Sequence, residues 1–332
     1  MINRYSKVVT ISLLLYLWTM HILGQNSFDI IALGTGGGVD ESNISSYLVS
    51  APEKDRYITL DAGTLMHGLT LAAQKGHFNH LQNDQLLTEA HILLNHIDAY
   101  CISHPHLDHI MGMMLAAPFD NHKTILGSSK AINAMMNHIF LSPLWGNFTT
   151  DGNNSGKWDL LRMNEKQWYD IPNNSLKIKY YSLCHSCPNE SSAFLINNHN
   201  AYLLYFGDTG ADRIENSNKI ELIYQDVSKL VINKQLKAIF IEASFSNEQK
   251  NDHLYGHLKP ELIEEELRKF AEIINPKQRE KALSGIKLFI THIKPDYKKQ
   301  DNAAISIENE IKKMNTYGAE AIIIKQSEKY KI

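Results

Sequence analysis

The stretch SHPHLDH, residues 103–109, sets His104, His106, Asp108 and His109 within six consecutive positions. Groups this polar are costly to bury unless they are paired or hold a metal. Neutral imidazole and carboxylate are zinc donors, since the ion takes N and O ligands in small, roughly tetrahedral sets. Pro105 disfavours helical backbone at His104, so the run begins extended. Alternation then puts His104 and His106 on one side, while Asp108 and His109 turn toward a neighbouring point. A single ion would not easily use all four. Two ions about 3.5–4 Å apart would, as in binuclear hydrolytic sites.

Such a cluster needs partners delivered from elsewhere, and the chain offers them at regular places. Asp61 follows YITL, the histidine run follows AYCIS, and His185 follows YYSLC. Asp208 follows YLLYFG, Glu242 follows AIFI, and His292 follows LFIT. One Asp after a strand is ordinarily a turn or cap residue. Six polar groups at six strand ends predict a shared sheet edge where they meet.

The elements behind these ends read as α/β. FDIIALG, YLVSA and YITLDAG are strands, MHGLTLAAQ and QLLTEAHILLNHI helices. IDAYCIS is a strand entering the histidines, and IMGMMLAAPF a helix leaving them. KTILGS precedes a helix at AINAMMNHIF; an Asn/Gly-rich stretch over residues 142–170 then reads as an insertion or lid. In the second half, LKIKYYSLCHS is a strand, and SSAFLINN and AYLLYFGDTG form a hairpin around NNHN. LKAIFIEASF and GIKLFITHIKP are strands separated by the helix PELIEEELRKFAEII, and AEAIIIKQ is a last strand after ISIENEIKKMNTY. Two strand-rich halves with flanking helices predict one four-layer α/β/β/α sandwich.

Composition narrows the class. The chain has 332 residues and 43% hydrophobic content, enough for a sizeable core. Residues 1–25 carry Arg4 and Lys7, then the apolar run VVTISLLLYLW, then small and polar residues. That is the layout of a secretory signal peptide, with processing near Gly24, and the apolar run is too short for a bilayer span. The expected mature domain is 26–332, periplasmic or secreted, with no membrane attachment. Loss of Arg4 and Lys7 takes the formal charge from −3 to −5, which disfavours a nucleic-acid partner. Cys101, Cys184 and Cys187 are too few for a disulfide framework, although export permits a Cys184–Cys187 pair. A zinc knuckle is disfavoured because no second CxxC exists. LGTGGG lacks the Lys-Ser/Thr of a P-loop and the dinucleotide spacing. It reads as a tight turn that lets backbone approach the metal site.

HPHLDH resembles the H-x-H-x-D-H signature of the metallo-β-lactamase superfamily, and the resemblance runs along nearly all of the mature chain. ISHPHLDHI, with LGTGGG before it and GHLKP after it, looks most like class II cyclic-nucleotide phosphodiesterases. The resemblance implies the αββα fold and two Zn2+ ions, with Mn2+ or Fe2+ as alternatives. It assigns His104, His106 and His185 to one ion, Asp108, His109 and His292 to the other, and Asp208 to both. Asp61 would orient a ligand histidine from behind. The cysteines flanking His185 depart from the family pattern and leave a cysteine open as the alternative ligand.

IEASF and GHLKP resemble the glutamate-threonine and histidine-serine-threonine-proline elements of tRNA 3′-processing nucleases in the same superfamily. Breaking a phosphodiester expels an alkoxide that leaves poorly unless protonated. His257 is therefore expected as general acid or phosphate contact, with Glu242 as its partner and His253 as a stand-in. These two join Asp108 as the expected catalytic groups. The substrate implied is a small 3′,5′-cyclic nucleotide, opened to a nucleoside 5′-monophosphate. An RNA-processing-type phosphodiesterase, a lactonase and a non-catalytic zinc-binding protein stay as alternatives, and monomer and homodimer are both open.

Overall fold

The computed structural model describes residues 26–52, 54–151, 156–295, 297 and 303–332. The expected signal segment lies outside them. Strand alternation decides the layering. In β1 (Asp29–Gly34), Ile30 and Ala32 face a core between two sheets, while Ile31 and Leu33 face helices. In β11 (Leu236–Glu242), Ala238 and Phe240 enter the same central core, while Ile239 and Ile241 face helices of the other half. Period-two sorting of this kind puts each sheet between two apolar layers.

The first sheet runs β14-β1-β2-β3-β4-β5-β6. Its other strands are β2 (Ser46–Ser50), β3 (Tyr57–Ala62), β4 (Ile97–Cys101), β5 (Lys123–Ser128), β6 (Trp158–Met163) and β14 (Lys329–Lys331). The second runs β13-β12-β11-β10-β9-β8-β7. It comprises β7 (Trp168–Asp170), β8 (Lys177–Cys184), β9 (Glu190–Asn198), β10 (Ala201–Phe206), β12 (Lys287–Thr291) and β13 (Glu320–Ile323) besides β11. Helices Met66–Gln74, Thr88–His96, Leu107–Ala116 and Ser129–His138 cover the first sheet. Helices Lys219–Ile232, Pro260–Ile274 and Ala303–Lys313 cover the second. The expected four-layer α/β/β/α sandwich is the observed one.

Within each sheet four strands are parallel: β3 to β6 in the first, β10 to β13 in the second. Parallel strands bring their C-terminal ends to one edge, where open α/β sheets carry ligands. Asp61, His104, Asp208, Glu242 and His292 stand at or just beyond those ends.

Two elements differ from expectation. The 142–170 stretch is built into the sheets in its second half, supplying β6 beside β5 and β7 beside β8. Trp158, fully buried, anchors it by donating its indole N–H to Asp120. AEAIIIKQ is not the last strand: β14 follows it and pairs antiparallel with β1. Phe240 fills the centre of the inter-sheet core, its ring 5.3 Å from Tyr47 and 4.8 Å from Phe289. Phe240→Ala is expected to cost about 3–5 kcal/mol of stability, read by denaturant unfolding, because a cavity between two sheets cannot collapse easily.

Candidate metal centre

The strand ends deliver two donor groups. His104, His106, His185 and Asp208 form one, and Asp108, His109 and His292 form the other. Asp208 Oδ2 lies 3.8 Å from His104 Nε2, 3.9 Å from His185 Nε2 and 3.3 Å from His292 Nε2. Its Oδ1 is 3.3 Å from His109 Nε2. The carboxylate thus touches both groups.

His185 and His109 are each turned by a partner behind them. His185 Nδ1–H donates to the Gly256 carbonyl at 2.8 Å, leaving the Nε2 lone pair pointing inward. His109 Nδ1–H donates to Asp61 Oδ2 at 2.7 Å. Asp61 also accepts from Ser103 N–H at Oδ1 and from Ser103 Oγ–H and the Tyr205 hydroxyl at Oδ2, so four hydrogen bonds hold a fully buried carboxylate. Asp61 has φ 53° and His292 φ 55°. Left-handed backbone in non-glycine residues costs about 1–3 kcal/mol and concentrates at functional sites.

The glycine loop lies against this frame. A side chain at Gly37 would overlap the His292 ring. Gly38, at φ 89°, donates its N–H to Asp108 Oδ2 at 2.9 Å. Close approach of backbone to the site is what LGTGGG provides.

Protonation follows from the packing. Burial, and then the neighbouring imidazoles, hold His104 well below the usual histidine range. His106 is pushed down to about 4 by burial and by His185, and burial likewise lowers His185. Burial opposes charge on Asp208, but His292 and His109 outweigh it and keep that carboxylate ionised. Burial is likewise overcome at Asp108 by the His292 hydrogen bond and the His109 charge. At His109, burial opposes protonation while Asp208 and Asp61 favour it.

This donor set fits divalent metal. His104 Nε2 is buried without a hydrogen-bond partner. His109 Nε2 and His292 Nε2 face each other at 3.2 Å, and His185 Nε2 faces His106 Nδ1 at 3.3 Å. Inward lone pairs crowded this closely need a proton or cation between them, and neutral imidazoles with ionised carboxylates are the forms that ligate. Cys184 and Cys187 are joined to each other beside Glu215, and His185 is the residue that meets His104 and His106.

A second constellation adjoins the first. Glu242 Oε1 and Oε2 accept from His257 Nδ1 at 3.0 and 3.1 Å. Burial disfavours both charges, yet each partner favours charge on the other, lowering Glu242 and raising His257, while Lys294 works against the charge on His257. His257 Nδ1 is also 3.6 Å from Asp208 Oδ2. His253 is exposed and stacks on Tyr255, away from this pair. Sequence reasoning missed Ser244, which donates to Glu242 Oε2 and meets His292 Nδ1 at 2.9 Å. It also missed Ser103, Tyr205 and Lys294. Ser103 and Ser244 lie within quoted motifs and were legible as neighbours; Tyr205 and Lys294 carried no signal of their own.

Comparison with known proteins agrees with this geometry. The family model described as cAMP phosphodiesterases class-II matches residues 27–327. A probable 3′,5′-cyclic-nucleotide phosphodiesterase of Yersinia pestis is 32% identical, over 93% of this chain and 90% of its own. Unliganded yeast PDE1 superposes with a TM-score of 0.80 at 21% identity, covering 91% of this chain and 99% of its own. The metallo-β-lactamase-fold protein YhfI of Bacillus subtilis follows at 0.60 and 16%, covering 92% and 99%. The sandwich is the metallo-β-lactamase fold, and the chain belongs to the class II cAMP phosphodiesterase family.

Proposed function

We propose that this phosphodiesterase is a binuclear zinc enzyme that opens 3′,5′-cyclic nucleotides, cAMP and cGMP, to nucleoside 5′-monophosphates. The observation that carries the reading is Asp208, one carboxylate within reach of both donor groups. His104, His106 and His185 would hold one ion, Asp108, His109 and His292 the other, with Asp208 shared. When bound, the ions supply Lewis acidity and bring the proton loss of water to near-neutral pH.

The chain's own residues do the rest. Asp61 and the Gly256 carbonyl fix the tautomers of His109 and His185, keeping Nε2 free. Asp108 is oriented by Gly38 N–H, so its second oxygen is the freer one. Glu242 keeps one proton on His257 Nδ1 and favours a second at Nε2 once that atom faces substrate. That atom hands its proton to the departing 3′-oxygen, whose alkoxide would otherwise leave slowly. Buried donors and acceptors around the site are already oriented before substrate arrives, which is the economical way to stabilise developing charge.

Asp208→Ala should abolish cyclic-nucleotide turnover and lower bound zinc together; full activity with two zincs per chain would refute the site. His257→Ala should slow cAMP hydrolysis about 10²–10⁴-fold. The loss should be much smaller on a nitrophenyl phosphodiester, whose leaving group needs no proton, and equal losses on both would remove the acid role. Export through residues 1–25 is part of the same proposal. Fractionation with mass spectrometry of the mature N-terminus should find the enzyme outside the cytosol, starting near Gln25; an intact cytosolic chain would count against it.

A further inference from the structure

One side chain beside the site has no part in holding metal. Lys294 stands two residues past His292, and its backbone N–H donates to the Ser244 carbonyl at 3.3 Å. Its stem runs along the glycine loop, where a Cβ on Gly38 would lie 3.9 Å from its Cγ. Its ammonium lies over the Phe245 ring, 5.5 Å from the centroid, and 2.8 Å from His257 Nε2. The side chain is half-buried and held by its surroundings on three sides.

The charge around it is informative. Among the described residues, no carboxylate lies within ion-pair distance of Lys294. The nearby acids Asp108, Asp208 and Glu242 are taken by imidazoles. With divalent ions in the donor groups, two acidic ligands do not offset the metal charge, and an added ammonium makes the surplus larger. A fixed cation in such a place is stable when an anion completes it. A compact ammonium with three rotatable donors suits a phosphoryl oxygen.

We propose that Lys294 is a substrate-binding residue whose ammonium leaves His257 Nε2 to hold a non-bridging phosphoryl oxygen. The exchange also uncovers Nε2, the atom that must face the departing oxygen. In the absence of substrate the ammonium donates to the Nε2 lone pair of His257; with substrate it turns to the phosphoryl oxygen and leaves Nε2 open to the departing group. This inference rests on the phosphodiesterase reading above, since it is the phosphodiester that supplies the anion.

The test uses the zinc-loaded full chain, cAMP as substrate and inorganic phosphate as competitor. Lys294→Gln should raise both the KM for cAMP and the phosphate inhibition constant by about 10–100-fold, the size of one charge-assisted hydrogen bond, with zinc content unchanged. Lys294→Arg, which keeps the charge, should stay within roughly tenfold of wild type on both. A fall in kcat with both constants unmoved would show that Lys294 acts only through His257, and would overturn the proposal. So would unchanged kinetics. Should Lys294→Gln lose zinc, Lys294→Arg decides: retained zinc with phosphate inhibition abolished overturns the assignment, and retained inhibition supports it. Should wild type fail to hydrolyse cAMP, the phosphodiesterase reading falls separately. Calorimetric titration of phosphate into wild type and Lys294→Gln still reads the lysine, with equal affinity ruling it out.

Discussion

A buried carboxylate in contact with five imidazoles is the constraint around which this molecule is arranged. Asp208 lies within 3.9 Å of nitrogen atoms of His104, His109, His185, His257 and His292. Ionised and almost solvent-free, it would be expensive without positive charge nearby. The imidazoles supply part of that charge, but they cannot all be protonated, because burial and mutual repulsion push His104, His106 and His185 toward neutrality. A site that needs cationic charge yet pushes three of its imidazoles toward neutrality is suited to metal. Every other feature, from the parallel strands to the glycine loop, brings a group to this carboxylate or steadies one that is already there.

The fold meets this demand by topology. Each sheet contains a parallel run, and the two runs end at the same edge of the sandwich. Donors therefore come from rigid strand ends, with short loops completing the set. Asp61 and His292 adopt left-handed backbone just where their strands stop. The strain turns a side chain sharply out of the sheet direction, and the four hydrogen bonds converging on Asp61 hold that turn in place. Stability and site geometry are coupled there: loosening Asp61 would release Ser103, His109 and Tyr205 at once.

Much of this was legible in the sequence, for a definite reason. The candidate ligands are His and carboxylate while the buried strands are apolar, so HPHLDH after AYCIS and Asp208 after YLLYFG stand out against their surroundings. The alternation that separates Ile30 from Ile31 likewise gives the layers. What stayed hidden has an equally physical cause. β14 is three charged and aromatic residues, KYK, too short for periodicity, and it becomes a strand through pairing with β1. The 142–170 stretch is rich in Asn and Gly overall, which masks the strand Trp158–Met163 at its far end. Tyr205 belongs to an ordinary strand pattern, and nothing local tells that its hydroxyl crosses the core to Asp61.

The hidden groups share one role. Ser103, Ser244, Tyr205 and Gly256 offer no ligand atom in either donor set; each fixes a residue that does, the acid–histidine pair beside it, or Asp61 behind His109. Ser244 is the most consequential, since its hydroxyl touches Glu242, His257 and His292 together. Through it the orientation of a metal-side histidine and that of the proton-bearing histidine are tied to one carboxylate. Two histidines governed by a single acid cannot be tuned independently. A change that repositions the acid group therefore disturbs the metal side as well, and the spacing between IEASF and GHLKP is bounded by both requirements rather than by either alone.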